Sequence, residues 1–183
     1  MKTVNGKPVS NAEYKRNQAA YHNVEYDYIK MRDEALKRKE EEDRKHPYVL
    51  GTSKQWVEVL DQPSVVISIG DPGEATPNYA CKHKDILRIE VDDIDQPMSK
   101  EYTLFDYIHG RKILDFLKRH QGTPIVVHCH AGISRSAAVV KFMIEELGYR
   151  LDDRESCTVK GFASYNHWIY RPLKICHVDS IMQ

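Results

Sequence analysis

Short apolar segments rich in β-branched residues alternate with helical segments from residue 48 onward. The pattern predicts strands at residues 48–50, 65–69, 85–91 and 125–127, and helices at residues 54–60, 103–119, 137–147 and 162–173. Gly148 and Pro172 are expected to end the last two helices. Since parallel strands require crossover connections, this alternation favours an α/β fold: a mostly parallel central sheet of four to five strands flanked by helices.

A charged segment precedes this region and is predicted to be an extra N-terminal helix. Ser10 and Glu13 have capping-box spacing, and neither glycine nor proline occurs between them and Pro47. Apolar side chains recur along it with heptad spacing, at Tyr14, Tyr21, Val24, Tyr28, Met31 and Ala35. We therefore expect two parts, residues 1–47 as a helical extension and 48–183 as the main domain. The narrow apolar seam favours docking onto the main domain, with self-association or a partner helix as alternatives.

Composition limits the classes of protein to which the chain can belong. At 183 residues with 41% hydrophobic content, it can bury one substantial core. The 27 basic and 27 acidic residues balance, which argues against a nucleic-acid or anionic-membrane partner. Residues 1–8 lack the apolar region of a secretory signal, no stretch approaches a membrane span, and four scattered cysteines suit a reducing compartment. These features predict a cytoplasmic protein.

Residues 128–136 read HCHAGISRS and lie between a predicted strand and a predicted helix. A loop that enters a helix N-terminus offers unpaired backbone N–H groups and the positive end of the helix dipole, so it can hold a phosphate. The same field favours a thiolate at Cys129, which makes this residue a candidate nucleophile. Arg135 can bind two phosphoryl oxygens through its planar guanidinium. The predicted phosphate loop comprises His130, Ala131, Gly132, Ile133, Ser134, Arg135 and Ser136.

The motif resembles the Cys-x5-Arg signature of the protein tyrosine phosphatase superfamily, and is most similar to its dual-specificity branch. The resemblance covers about residues 48–170 and implies hydrolysis of phosphomonoesters on phosphoproteins through a cysteinyl-phosphate intermediate, with no metal or cofactor. It also implies a general acid and base on a loop before the cysteine. Alignment of the preceding strand places Asp93 in that role, with Asp95 as second choice and Asp92 also possible.

The same residues also allow four other interpretations. His128, Cys129 and His130 could bind zinc, with Cys81, His83, Cys176 and His177 as further ligands, but consecutive residues of an extended segment point to opposite sides. The loop could instead belong to a non-catalytic phosphate-binding module or, less well matched, to a rhodanese-like sulfurtransferase. Phosphoinositide phosphatases of this superfamily tend to carry lysine within the loop, and its absence here favours a phosphorylated protein or peptide as substrate.

Overall fold

A computed structural model describes the chain except for residues 1–2, 5–6, 9, 95–100 and 183, together with the side chains of residues 3–4, 7–8 and 11–26. The described chain divides into two compact units, Met1–Glu42 and Asp43–Gln183. None of the described helices is long and apolar enough to cross a membrane. The expected division at residue 47 stays a prediction.

The first unit contains a small hairpin and most of one long helix. Strands β1 (Thr3–Val4) and β2 (Lys7–Pro8) are antiparallel, and helix α1 spans Asn11–Lys45. The predicted N-terminal helix is therefore present, and it ends two residues before Pro47. Of the heptad positions with described side chains, Tyr28 and Met31 are exposed. Docking or self-association through this seam stays a prediction.

The second unit is built on a sheet of five parallel strands. These are β3 (Tyr48–Ser53), β4 (Val65–Gly70), β5 (Asp85–Glu90), β6 (Ile125–Cys129) and β7 (Arg150–Leu151), in the spatial order β5-β4-β6-β3-β7. Every residue of β4 and β6 is buried, which explains why these strands read as continuous apolar runs rather than alternating ones. The predicted α/β class, the parallel sheet and its flanking helices are confirmed.

Four helices accompany the sheet: α2 (Lys54–Glu58), α3 (Tyr107–Arg119), α4 (Arg135–Leu147) and α5 (His167–Ile181). Helix α4 packs against β3 and β6, and α5 packs against α3 and α4. Gly148 ends α4 in a left-handed conformation with φ of 71°, as its sequence position predicts.

Several predicted helix boundaries were wrong. Helix α3 begins four residues later than predicted because Asp106 caps it, accepting a hydrogen bond from the backbone N–H of His109 at 3.0 Å. Helix α5 begins only after Asn166, five residues later than predicted, and Pro172 lies inside it. Ile169 and Leu173, spaced one turn apart, are buried on either side of that proline in sequence, so core packing holds the helix together there. The two-residue strand β7 was not predicted.

Gly110 sets the close approach of α3 and α5. A Cβ atom at this position would lie 2.7 Å from Cys176 Sγ. We expect Gly110→Ala to lower the free energy of unfolding by about 1–3 kcal/mol, because overpacking outweighs the better helix propensity of alanine. Chemical denaturation measures this change, with Asp115→Ala on the exposed face of α3 as control. An unchanged or raised stability of Gly110→Ala would contradict the tight packing.

Candidate active site

The carboxyl ends of four parallel strands bring the candidate site together. Lys54 follows β3, Asp71 follows β4, and Cys129 ends β6. Asp93 lies three residues beyond the end of β5. Because all these strands point the same way, the residues that leave them meet at one edge of the sheet, where α/β proteins bind ligands.

Cys129 ends the central strand and is buried, with 1% of its surface exposed. The backbone N–H of Gly132 donates a hydrogen bond to its Sγ at 3.3 Å, and Ser136 Oγ lies 3.2 Å from the same sulfur. Two polar groups are thus positioned to stabilise negative charge on the sulfur. Cys129 also precedes the N-terminus of α4 by only six residues, which adds the positive end of a 13-residue helix dipole.

The loop between Cys129 and Arg135 depends on glycine at position 132. Gly132 has φ of +79°, and a Cβ atom there would lie 1.9 Å from Thr158 Oγ1 and 2.7 Å from Ser53 N. Its carbonyl accepts a hydrogen bond from Thr158 Oγ1 at 3.0 Å. The Gly132 carbonyl is therefore bound by Thr158, while the Gly132 N–H faces the sulfur of Cys129. His130, Ala131 and Ile133 lie on its exposed side.

His128 precedes the nucleophile candidate and is 1% exposed. Burial, against a smaller opposing effect of the Cys129 backbone, lowers the pKa of His128 to about 4. The imidazole is therefore neutral at neutral pH. Of the two side chains, Arg135 and not His128 therefore carries a positive charge at neutral pH.

Arg135 is a buried cation held by three neighbouring segments. Its Nη1 donates hydrogen bonds to Asp71 Oδ1 at 2.6 Å and to the carbonyl of Val91 at 2.7 Å, and its Nε lies 3.6 Å from Asp93 Oδ2. Nε is buried and has no hydrogen-bond partner within the described part of the chain. A buried donor without a partner costs about 1–3 kcal/mol, which an anion oxygen at this position would recover.

Of the two described candidates for the acid, Asp92 and Asp93, it is Asp93 that lies near Arg135. Its Oδ1 accepts hydrogen bonds from Ser134 Oγ at 2.6 Å and from Asn166 Nδ2 at 3.1 Å, and about a third of its side chain is exposed. Asp92 instead accepts a hydrogen bond from the backbone N–H of Thr103 at 2.7 Å. Asp95, the second candidate for the acid, lies outside the described residues.

A network centred on Glu74 borders the site. Its carboxylate accepts a hydrogen bond from Lys54 Nζ at 2.7 Å and lies 3.9 Å from Arg88 and 3.7 Å from the exposed imidazole of His130. Burial alone would raise the pKa of Glu74, but the hydrogen bonds from Lys54 and the Asp71 backbone, with the charges of Lys54 and Arg88, lower it to about 2. Glu74 is thus ionised at neutral pH and links the segment carrying Asp71 to α2.

Sequence reasoning missed three residues that shape this site: Asp71, Glu74 and Asn166. The first two lie in the segment directly after β4, for which no functional role was predicted. An acidic residue directly after a parallel strand was the available signal. Asn166 was missed because the last helix was predicted to begin at residue 162, which hid its role as a cap. Within the described residues, no group of three or more His, Cys, Asp or Glu side chains is arranged to hold a metal ion.

Gly132→Ala should disrupt anion binding. The new methyl group would collide with Thr158 and the β3 backbone, and alanine is also strained at this φ. We expect affinity for vanadate or phosphate to fall by at least about 10-fold, as measured by isothermal titration calorimetry. Gly161→Ala is the matched control, since it introduces the same type of strain at φ of +67° with no atom within 4 Å of the new Cβ. Equal affinities for the two variants would contradict the steric argument.

Glu74→Gln should make stability less sensitive to acid. The folded-state pKa of Glu74, about 2, lies below the ordinary value of 4.5, so its contribution is present above pH 4.5 and is lost as pH falls toward 2. We expect the variant to unfold about 1–3 kcal/mol more easily at pH 7, and this difference to shrink below pH 4.5. Urea denaturation at several pH values measures it, with the exposed Glu155→Gln as control. A difference independent of pH would count against the ionised network.

Comparisons with known proteins found similarity at the level of solved structures only. No family model matches the chain, and no curated protein matches it. The crystal structure of the human tyrosine phosphatase-like serine/threonine/tyrosine-interacting protein is 21% identical over 65% of this chain and 79% of that one, with a TM-score of 0.42. The crystal structure of PTPMT1 is 19% identical over 74% of this chain and 92% of that one, with a TM-score of 0.43.

Proposed function

We propose that this chain is a protein phosphatase of tyrosine or dual specificity that uses Cys129 as nucleophile. The observation that carries the proposal is the convergence of a buried sulfur, a buried guanidinium with an unpartnered N–H, and an accessible carboxylate around one loop. The first two groups bind and attack a phosphoryl group, and the third can move a proton. A phosphate binder needs only the loop and the arginine, so the carboxylate favours turnover.

The first chemical step transfers the phosphoryl group to the cysteine. The Cys129 thiolate forms a bond to phosphorus while the bond from phosphorus to the leaving oxygen breaks. Asp93 gives its proton to that oxygen, so the substrate leaves as a neutral alcohol or phenol. Arg135 Nε and the loop amides stabilise the charge that spreads over the remaining phosphoryl oxygens.

The second step hydrolyses the cysteinyl phosphate. Asp93, now a carboxylate, takes a proton from a water molecule as the water oxygen attacks phosphorus, and the bond between phosphorus and sulfur breaks. The Ser136 hydroxyl, 3.2 Å from Cys129 Sγ, can donate to the departing thiolate. Phosphate leaves and the thiolate is restored, with no metal or cofactor in either step.

The proposed substrate is a phosphorylated protein or peptide in the cytoplasm. The phosphate loop contains no lysine that could meet additional phosphates of an inositol lipid. The chain has no net charge, which does not favour a nucleic acid or an anionic surface as partner.

Hydrolysis of 4-nitrophenyl phosphate and of a tyrosine phosphopeptide tests the mechanism. We expect Cys129→Ser to abolish turnover, because its hydroxyl is a far weaker nucleophile than a thiolate, and to retain phosphate binding. Asp93→Asn should lower kcat for the phosphopeptide, whose leaving group needs a proton, by about 10²- to 10⁴-fold, the usual contribution of a positioned acid or base. Vanadate should inhibit competitively, and chelators should have no effect.

Other outcomes of the same assays would support the alternatives. A wild-type protein that binds phosphopeptides without hydrolysing them would be a phosphate-binding module. Conversion of cyanide by thiosulfate, without hydrolysis of phosphate esters, would identify a sulfurtransferase. If Asp93→Asn behaved as wild type while Asp95→Asn lost activity, only the assignment of the acid would be wrong.

A further inference from the structure

Asn166 connects the acid, the phosphate loop and the last helix through its side chain and backbone. The residue is 3% exposed. Its backbone N–H donates to the carbonyl of Ser134 at 3.2 Å, and its Nδ2 donates to Asp93 Oδ1 at 3.1 Å and to the carbonyl of Ile94 at 3.0 Å. One buried residue thus contacts both the segment of the proposed acid, through its side chain, and the phosphate loop, through its backbone.

The capping role of Asn166 fixes which way its amide points. Its Oδ1 accepts hydrogen bonds from the backbone N–H groups of Trp168 at 2.9 Å and Ile169 at 3.1 Å, at the start of α5. Only the oxygen can accept these bonds, so the amino group must face the Asp93 side, where both partners are acceptors. The amide therefore has one permitted orientation, and its donors are directed at the acid loop.

The two oxygens of Asp93 consequently have different surroundings. Oδ1 receives donors from both Ser134 and Asn166, whereas Oδ2 lies 3.6 Å from Arg135 Nε. An oxygen that already accepts two hydrogen bonds is a poor place for a proton, because the proton would displace a donor. When Asp93 is protonated, the proton belongs on Oδ2, the oxygen on the side of the arginine and hence of the phosphoryl group.

We propose that Asn166 is a positioning residue for proton transfer: by holding Asp93 Oδ1, it directs the acidic proton on Oδ2 toward the leaving oxygen of the substrate. This inference rests on the proposed phosphatase function. The bonds formed and broken are those of that mechanism, and Asn166 itself neither gains nor loses a proton. Its loss should therefore weaken proton transfer and leave phosphate binding intact.

Two variants remove the donor while keeping an acceptor for the helix cap. Asn166→Ser and Asn166→Thr lose Nδ2 but retain a hydroxyl that can cap the helix and is too short to reach Asp93. The measured quantity is kcat/KM for phenyl phosphate, whose leaving group needs a proton, and for 4-nitrophenyl phosphate, whose leaving group needs one far less. Because kcat/KM covers only the steps up to cleavage of the ester, it isolates the acid role of Asp93.

We expect kcat/KM for phenyl phosphate to fall about 10- to 100-fold in both variants. The value for 4-nitrophenyl phosphate should fall by less than about 3-fold, and the vanadate inhibition constant should stay within about 2-fold of wild type. Combining Asn166→Ser with Asp93→Asn should cause no further loss beyond that of Asp93→Asn, since both changes remove the same proton transfer.

Leu173→Val controls for damage to α5. Leu173 is fully buried in the same helix, so the variant lowers the melting temperature without touching Asp93, and both kcat/KM values should fall by the same small factor. Equal losses on the two esters in the Asn166 variants would overturn the proposal, because a merely structural role predicts that result. Additive losses in the double variant would also overturn it. If the wild-type protein had no phosphatase activity, the result would instead contradict the proposed function, on which the role of Asn166 rests.

Discussion

The buried guanidinium of Arg135 is the constraint on which the arrangement of the site depends. Removing a cation from water costs free energy, and hydrogen bonds or opposite charges must offset that cost if the folded state is to be stable. Its partners are the Asp71 carboxylate and the Val91 carbonyl, which follow two neighbouring strands, and the Asp93 carboxylate lies just beyond hydrogen-bond distance. The contacts that compensate the charge of Arg135 therefore also hold the segments that surround the proposed phosphate position. Nε of Arg135 has no hydrogen-bond partner among the described residues, and a phosphoryl oxygen could accept its hydrogen bond.

Around this cation, a second set of polar contacts holds residues of the candidate site. Glu74 joins the turn carrying Asp71 to Lys54 at the start of α2. On the opposite side, Ser134 and Asn166 hold one oxygen of Asp93. In the proposed mechanism, positioning by such neighbours would allow one carboxylate to serve as acid and then as base.

The fold class and the strand–loop–helix setting of Cys129 could be predicted because their signals are local. Strand and helix periodicity is contained in short windows, and the HCHAGISRS segment carries its sulfur, glycine and arginine within nine residues. The ends of the helices were harder to predict from the sequence. Asp106 and Asn166 cap their helices through side-chain hydrogen bonds, and several nearby polar residues could have done so. Pro172 was expected to end a helix, but burial of Ile169 and Leu173 outweighed the lost backbone hydrogen bond.

The sequence by itself determined the parallel α/β architecture, the strand–loop–helix setting of Cys129 and the presence of acidic residues before it. Only the tertiary structure showed that Asp93 lies 3.6 Å from Arg135 Nε, whereas Asp92 contacts the backbone of Thr103. It also brought in Asp71 and Asn166, which lie 64 and 31 positions from Arg135 in the sequence. The physical reason is that parallel strands bring residues distant in sequence to one sheet edge. Local sequence patterns do not reveal which strands are neighbours at that edge.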